Sequence, residues 1–355
     1  MKRWIAAAAV VAMAAAPAAA QTASTPLKAR AGKPFTHRHS RIALPATIDG
    51  IARSNVRQLG SDELDVNADY AGDGEFVTFY VTRLVSGAVP VWFDRARASV
   101  ERRGAFGTPV AVPGPVAFVP PGQTAASGLA VAWSSGDARV KGTMLAILPV
   151  GEWMVKLRYS SATRDGAALR ERLPAVLAQI DLPRIADAAP AAEVTACTTP
   201  LALTGDAKPV TDAEARMQGA LMTGLLASAR TSSRGKPAVR PNEGRWCRDG
   251  SAVEAGAAYR LDGAADAYLL ALSDAGRGIW ITPDVVAREM AAKEPAVAPR
   301  WLMSLADMGR TLVFAPLDRL PPPAQAVSLV EASAPVAVAT TWGKPNVTFS
   351  QALFR

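Results

Sequence analysis

Between Leu64 and Leu84 the sequence dictates a β-hairpin, and that hairpin restricts the fold more than any other stretch. Leu64, Val66, Ala68 and Tyr70 alternate with Asp65, Asn67 and Asp69, the period-two pattern of a strand with one apolar and one wet face. Ala71-Gly72-Asp73-Gly74 then turns the chain and FVTFYVTRL (residues 76–84) brings it back. A lone hairpin is marginal in water, so it requires further strands and a cover for its apolar face. Downstream residues supply both. Strand-like runs lie at 129–133, 143–148 and 153–159, and in the last of these Trp153, Val155, Leu157 and Tyr159 share one face, opposite Lys156 and Arg158. Pro90 suits a first helical turn, and Trp92, Ala96 and Val100 recur every four residues over 90–103. Leu169, Leu173, Val176, Leu177 and Ile180 form a second amphipathic segment, which Pro174 is expected to kink or split.

The order hairpin, helix, antiparallel strands, closing helix, with Leu44-Pro45-Ala46-Thr47-Ile48-Asp49-Gly50 at its start and Gly151-Glu152-Trp153-Met154-Val155-Lys156-Leu157-Arg158 as a strand, resembles a PsbP-like α+β domain of exported proteobacterial proteins. The resemblance covers residues 42–183. It implies an α+β fold and a non-catalytic binding or assembly role, and it carries over no functional residue.

The Pro/Ala-rich stretch Asp181 through Glu193 reads as a linker between two domains, bounded at residues 184–196. In the second domain, 197–355, Thr211 and Glu214 have capping-box spacing ahead of Met217, Ala220, Leu221, Gly224 and Leu225, which predicts a helix over 211–228. Strands are expected at 267–272, 278–281, 311–315, 327–330 and 336–340, with a short helix after Thr282-Pro283-Asp284, stopped by Pro295. The whole therefore reads as α+β: two domains, each a mainly antiparallel sheet packed by helices.

The chain opens MKRWIAAAAVVAMAAAPAAA, with Lys2 and Arg3 before an apolar stretch and with Ala18 and Ala20 at the small-residue positions read by signal peptidase. The apolar stretch is shorter than the roughly 20 residues a membrane helix needs. Cleavage after Ala20 and a periplasmic location are expected. Cys197 and Cys247, the chain's two cysteines, then form a disulfide in an oxidising compartment.

The formal net charge of +8 is concentrated at the front. Residues 21–41 hold Lys28, Arg30, Lys33, Arg38 and Arg41 with no acidic residue, and read as a flexible basic leader that spaces the fold from the signal or docks on an anionic envelope surface. The body beyond it is nearly neutral, which excludes a nucleic-acid groove. Both histidines, His37 and His39, fall in this leader. No histidine follows, so Ser-His-Asp and Cys-His catalysis and His-ligated zinc are excluded from the body, and no metal or cofactor is expected.

Four further segments carry side chains that could serve a site. Asp65, Asn67 and Asp69 open like a calcium loop, but Tyr70 stands where glycine is needed and Phe76 where glutamate is needed. Ser233-Arg234-Gly235-Lys236 spells S-x-x-K without its partner motifs. Asp262, Asp266 and Asp274 flank an expected hairpin and could supply an acid and a base. Arg245, Trp246 and Arg248, within the arginine-rich segment before and after Cys247, could hold an anionic or glycan ligand by charge and stacking.

Two functions follow. The first is a non-catalytic periplasmic binding or accessory protein whose partner is an envelope protein or an anionic envelope surface, met through an apolar or Trp/Arg patch near Trp246 or at the domain junction. The alternative is a histidine-free cell-wall or glycan hydrolase working through an Asp/Glu pair.

Overall fold

The computed structural model describes residues 24–102, 107–137, 139–185, 188–229, 244–251, 253–254, 256–274, 276–294 and 297–354. The signal segment and the S-x-x-K tetrapeptide lie outside them. The chain runs through β1 (Ser24–Pro26), β2 (Phe35–Thr36), β3 (Ala43–Leu44), β4 (Thr47–Ile48) and β5 (Ile51–Leu59) into the hairpin β6 (Asp65–Gly72) and β7 (Glu75–Arg83). Helix α1 (Val89–Glu101), the short β8 (Val110–Ala111) and β9 (Val116–Phe118), then β10 (Gly128–Ser134), β11 (Gly142–Val150), β12 (Trp153–Ser161) and helix α2 (Gly166–Leu177) complete the first half.

The hairpin pairs Asp65 with Thr82 through Gly72 with Glu75. Its turn residues Asp73 and Gly74 have φ of 50° and 76°, the left-handed pair that matches strand twist in a two-residue turn. The sheet order is β1-β5-β6-β7-β12-β11-β10-β8, with β4 on β5 and β9 on β10. Pro174 sits inside an unbroken α2, whose start is capped by Asp165 accepting from the Ala168 N–H.

The second half contains β13 (Thr195–Ala196), α3 (Ala213–Ala229), β14 (Trp246–Arg248), β15 (Ala257–Leu261), β16 (Tyr268–Ala271), β17 (Gly278–Pro283), α4 (Val285–Lys293), β18 (Trp301–Asp307), β19 (Arg310–Val313), α5 (Pro323–Ala332), β20 (Ala337–Thr340) and β21 (Asn346–Phe349). Its nine strands lie side by side in chain order. Asp284 caps α4 by accepting from the Val286 and Ala287 N–H groups. At α3 the capping side chain is Asp212, bonded to the Ala215 N–H, one residue later than the Thr211 expected.

Helix α1 lies between the sheets. Trp92, Phe93, Ala96 and Val100 join one buried cluster with Leu129, Val131, Trp133, Leu145 and Ile147 of the first sheet and with Trp246, Ala257, Tyr259, Leu269 and Ala271 of the second. Helix α2 shares a separate core with the other face of the first sheet, through Leu169, Leu173, Val176 and Leu177. The remaining face of the second sheet, through Ala258, Leu270, Ile279 and Ile281, packs with Leu317, Leu320 and Ala326 of the α5 region.

Several expectations are corrected. The fold is mostly β, 36% strand against 20% helix, where α+β was expected. Residues 257–261 and 301–307 form strands that local pattern did not mark, and the helices are few beside two large antiparallel sheets. Residues 327–330 belong to α5, because Pro323 starts a helix there and a four-residue apolar run is compatible with either state.

The basic segment does not hang free. Strand β1 pairs with β5, Phe35 enters the first core, and Arg53 donates to the carbonyls of Arg30, Lys33, Leu44 and Pro45. His37 is fully buried, its Nε2–H donating to the Glu63 carbonyl at 2.7 Å while Nδ1 accepts from Ser40. Burial lowers its pKa by disfavouring the charged imidazolium, against the Glu63 carbonyl and carboxylate. The chain between the halves is also anchored at Ala191 and Val194, which enter the shared core, and the Ala191 N–H bonds the Ala126 carbonyl.

Finally, the face of β6 expected to be wet is covered. Asp65, Asn67 and Asp69 are all buried. Thr82 donates to Asp65 and Thr78 to Asp69, and Arg57 pairs with Asp69 at 3.0 Å.

Candidate functional site

The three residues predicted to bind a ligand together do not share a surface. Trp246 is 8% exposed and packs at 5.9 Å from Trp280 within the α1 core, so its ring is closed to stacking. Arg245 is exposed and its backbone N–H is held by Asp262. Arg248 points the other way, toward Asp94 of α1 at 3.4 Å. Asp94 is the hub there, accepting also from the Tyr259 hydroxyl at 2.7 Å and from Arg97 at 3.2 Å. Arg248, Arg97, Arg102, Asp94 and Cys197 line a cavity of about 820 Å³ beside the Cys197–Cys247 disulfide.

The three candidate carboxylates are each engaged separately. Asp262 accepts from Arg245, Asp266 pairs with Arg288 at 2.6 Å, and Asp274 pairs with Lys156 of the first sheet at 2.9 Å. The calcium-like trio is committed to its strand neighbours, and no group of three metal-binding side chains exists among the described residues.

The Lys156–Asp274 pair belongs to a seam that joins the halves. Arg83, 3% exposed, pairs with Glu152 at 3.1 Å and donates to the Met308 carbonyl at 2.8 Å. Ser86 donates to the Gly276 carbonyl at 2.7 Å. Along this seam opens a crevice of about 1050 Å³, walled on one side by Leu59, Asp62, Leu64 and Asp65 and on the other by Ser273, Arg277, Asp307, Arg310, Thr340 and Trp342. Trp342 is braced by His39 at 4.7 Å and Trp153 at 6.0 Å, with the Arg83 guanidinium 5.0 Å from its ring centre.

Asp65 is the perturbed group of the crevice. Desolvation pushes its carboxyl up to about 6, while the Thr82 hydroxyl and the Lys156 charge hold it down. The unfolded chain titrates near 3.8. Between those values the folded state keeps a proton that the unfolded state has lost, so this contribution to stability is complete below about pH 4 and is lost as pH rises through about 6. The wild type should therefore lose about 3 kcal/mol relative to Asp65→Asn between about pH 3 and pH 7. Urea unfolding of both chains across that range measures it, and a difference that stays constant with pH would refute the assignment.

No family model, curated protein or solved structure matches the chain. The PsbP-like resemblance therefore rests on the residues quoted for it. Sequence reading missed Arg277, Arg310 and Trp342 because the opposite wall of the crevice, formed by β6 and the loop before it, lies more than 200 residues away in the chain. The local hint is the Thr341-Trp342-Gly343-Lys344-Pro345 run, which places a large aromatic in a loop.

No helix among the described residues is long and apolar enough to cross a membrane. The disulfide is present and compatible with export.

Proposed function

We propose that this chain is an exported periplasmic protein that binds a polar ligand in the crevice between its two sheets and catalyses nothing. The observation that carries the reading is the crevice itself. It is large enough for a drug-sized molecule, draws walls from both halves, and combines one aromatic side chain with arginines and aspartates. A Trp/Arg grouping at the junction is the kind of surface a binding or accessory role needs. Here it centres on Trp342 instead of Trp246. Export supports an envelope ligand or partner.

Native mass spectrometry of the chain purified from the periplasm tests this. A retained adduct of a few hundred daltons is expected in the wild type and lost in Trp342→Ala and Arg310→Glu. An adduct that persists equally in both variants, or none in any chain, would count against the crevice.

Asp65 favours a second reading, glycan hydrolysis, since a carboxyl held near 6 in a crevice that Asp62 and Asp307 also line has the character of a general acid. Release of soluble fragments from purified cell wall, abolished in Asp65→Asn, would replace the binding reading with this one.

A further inference from the structure

Arg95 is a cation without its counter-charge. Arg95 and Ser99 on α1 and Arg102 at its C-cap stand at i, i+4 and i+7 and so share one stripe. All three line a pocket of about 380 Å³ whose other wall is Ser273 and Asp274. The Arg95 Nε and Nη1 are enclosed and have no hydrogen-bond partner, and among the described residues no other side chain has two such nitrogens. Leaving donors of a charged group unmatched and out of water is costly.

The surroundings do not balance the charge. Burial lowers the proton affinity of Arg95, and the positive fields of Arg102 and Arg248 act in the same direction, against Tyr259 and Asp274. Asp274 is bonded to Lys156, and Asp94 is shared by Tyr259, Arg97 and Arg248. What remains is a positively charged concavity with two hydroxyl-bearing residues on its walls.

We propose that this pocket binds a tetrahedral oxyanion, phosphate or sulfate, with Arg95 as the principal donor and Arg102 as the second cation. A planar guanidinium fork suits two oxygens of such an ion. The anion is either free or the end group of a larger ligand. Ser273 lines both this pocket and the junction crevice, so a larger ligand could extend from one into the other. The anion site does not depend on that extension.

Thermal unfolding and calorimetric titration of the disulfide-intact chain test it, with inorganic phosphate and, separately, glycerol phosphate, at ionic strength held constant with sodium chloride. At about ten times Kd, phosphate should raise Tm by about 2 °C. Arg95→Met should abolish the shift and, with no anion present, melt no lower than wild type, because the unmatched charge is gone. Arg95→Lys, which keeps the charge and loses the fork, should bind at least about tenfold more weakly. Binding of glycerol phosphate in preference to inorganic phosphate would support the site and assign it to a larger ligand. No shift with either anion, or an equal shift in Arg95→Met and wild type, would overturn the proposal.

Discussion

Replacing Trp92 by alanine should lower the unfolding free energy by about 4 kcal/mol, and it should loosen both sheets at once. Trp92 is completely buried, and α1 carries it into a cluster with Leu145 and Ile147 of the first sheet and Leu269 and Ala271 of the second. The indole also donates from Nε1 to the Ser86 carbonyl at 2.8 Å, an acceptor that the substitution leaves unpaired. The approach on this side is tight. A side chain at Gly87 would meet Leu269 Cδ2 at 3.0 Å and Trp92 Nε1 at 3.2 Å, and its φ is +68°. Because one helix serves both sheets, unfolding should remain a single transition, reported alike by amides of β11 and of β16 in hydrogen exchange. Leu173→Ala in α2 is the control, since its contacts belong to the first core alone. Two separate transitions in the wild type, or a loss below about 1 kcal/mol in Trp92→Ala, would show that α1 is not a common core.

Removing the Cys197–Cys247 bond should cost a similar amount. The cysteines are 50 residues apart in sequence, and closing a loop of that length restricts the unfolded chain by about 4 kcal/mol in the chain-entropy treatment. The native surroundings are arranged around the bond. The Cys197 N–H bonds the Arg248 carbonyl at 3.0 Å as β13 runs parallel to β14. Arg260, fully buried, donates from Nε to Cys197 Sγ at 3.1 Å, bonds the Thr199 carbonyl and pairs with Asp249 at 3.5 Å. Urea unfolding of the double variant Cys197→Ala/Cys247→Ala, and of wild type under reductant, should show a lower midpoint with proteolysis concentrated between residues 197 and 247. A change under about 1 kcal/mol would mean that the loop is already restrained when unfolded. The large expected loss means that full stability is reached only where the thiols oxidise.

Several elements were legible from the chain alone. The hairpin β6–β7, helix α1 with Pro90 in its first turn, the Asp284-capped α4 and the disulfide all rest on rules that act over a few residues or, for the thiols, on an even count behind an expected export signal. Other elements were not. Residues 327–330 satisfy a strand and a helix equally until Pro323 and the core beneath α5 decide. The α+β reading gave way for a related cause: runs such as Ala257–Leu261, which mix helix-favouring alanine with strand-favouring tyrosine, become strands because neighbours on both sides pair with them.

What the sequence determined by itself was local: where the chain turns, which helices are capped, and which faces are apolar. Only the tertiary structure decided which polar faces remain wet. Asp65 looks solvated beside its neighbours in sequence, yet it is buried because Thr82, Lys156 and the Asp274 loop of the other half close over it. His37 and the basic segment look free until Glu63, Ser40 and Arg53 hold them down. Burial and charge compensation are set by groups that meet across the fold, and periodicity over a few residues contains no information about them.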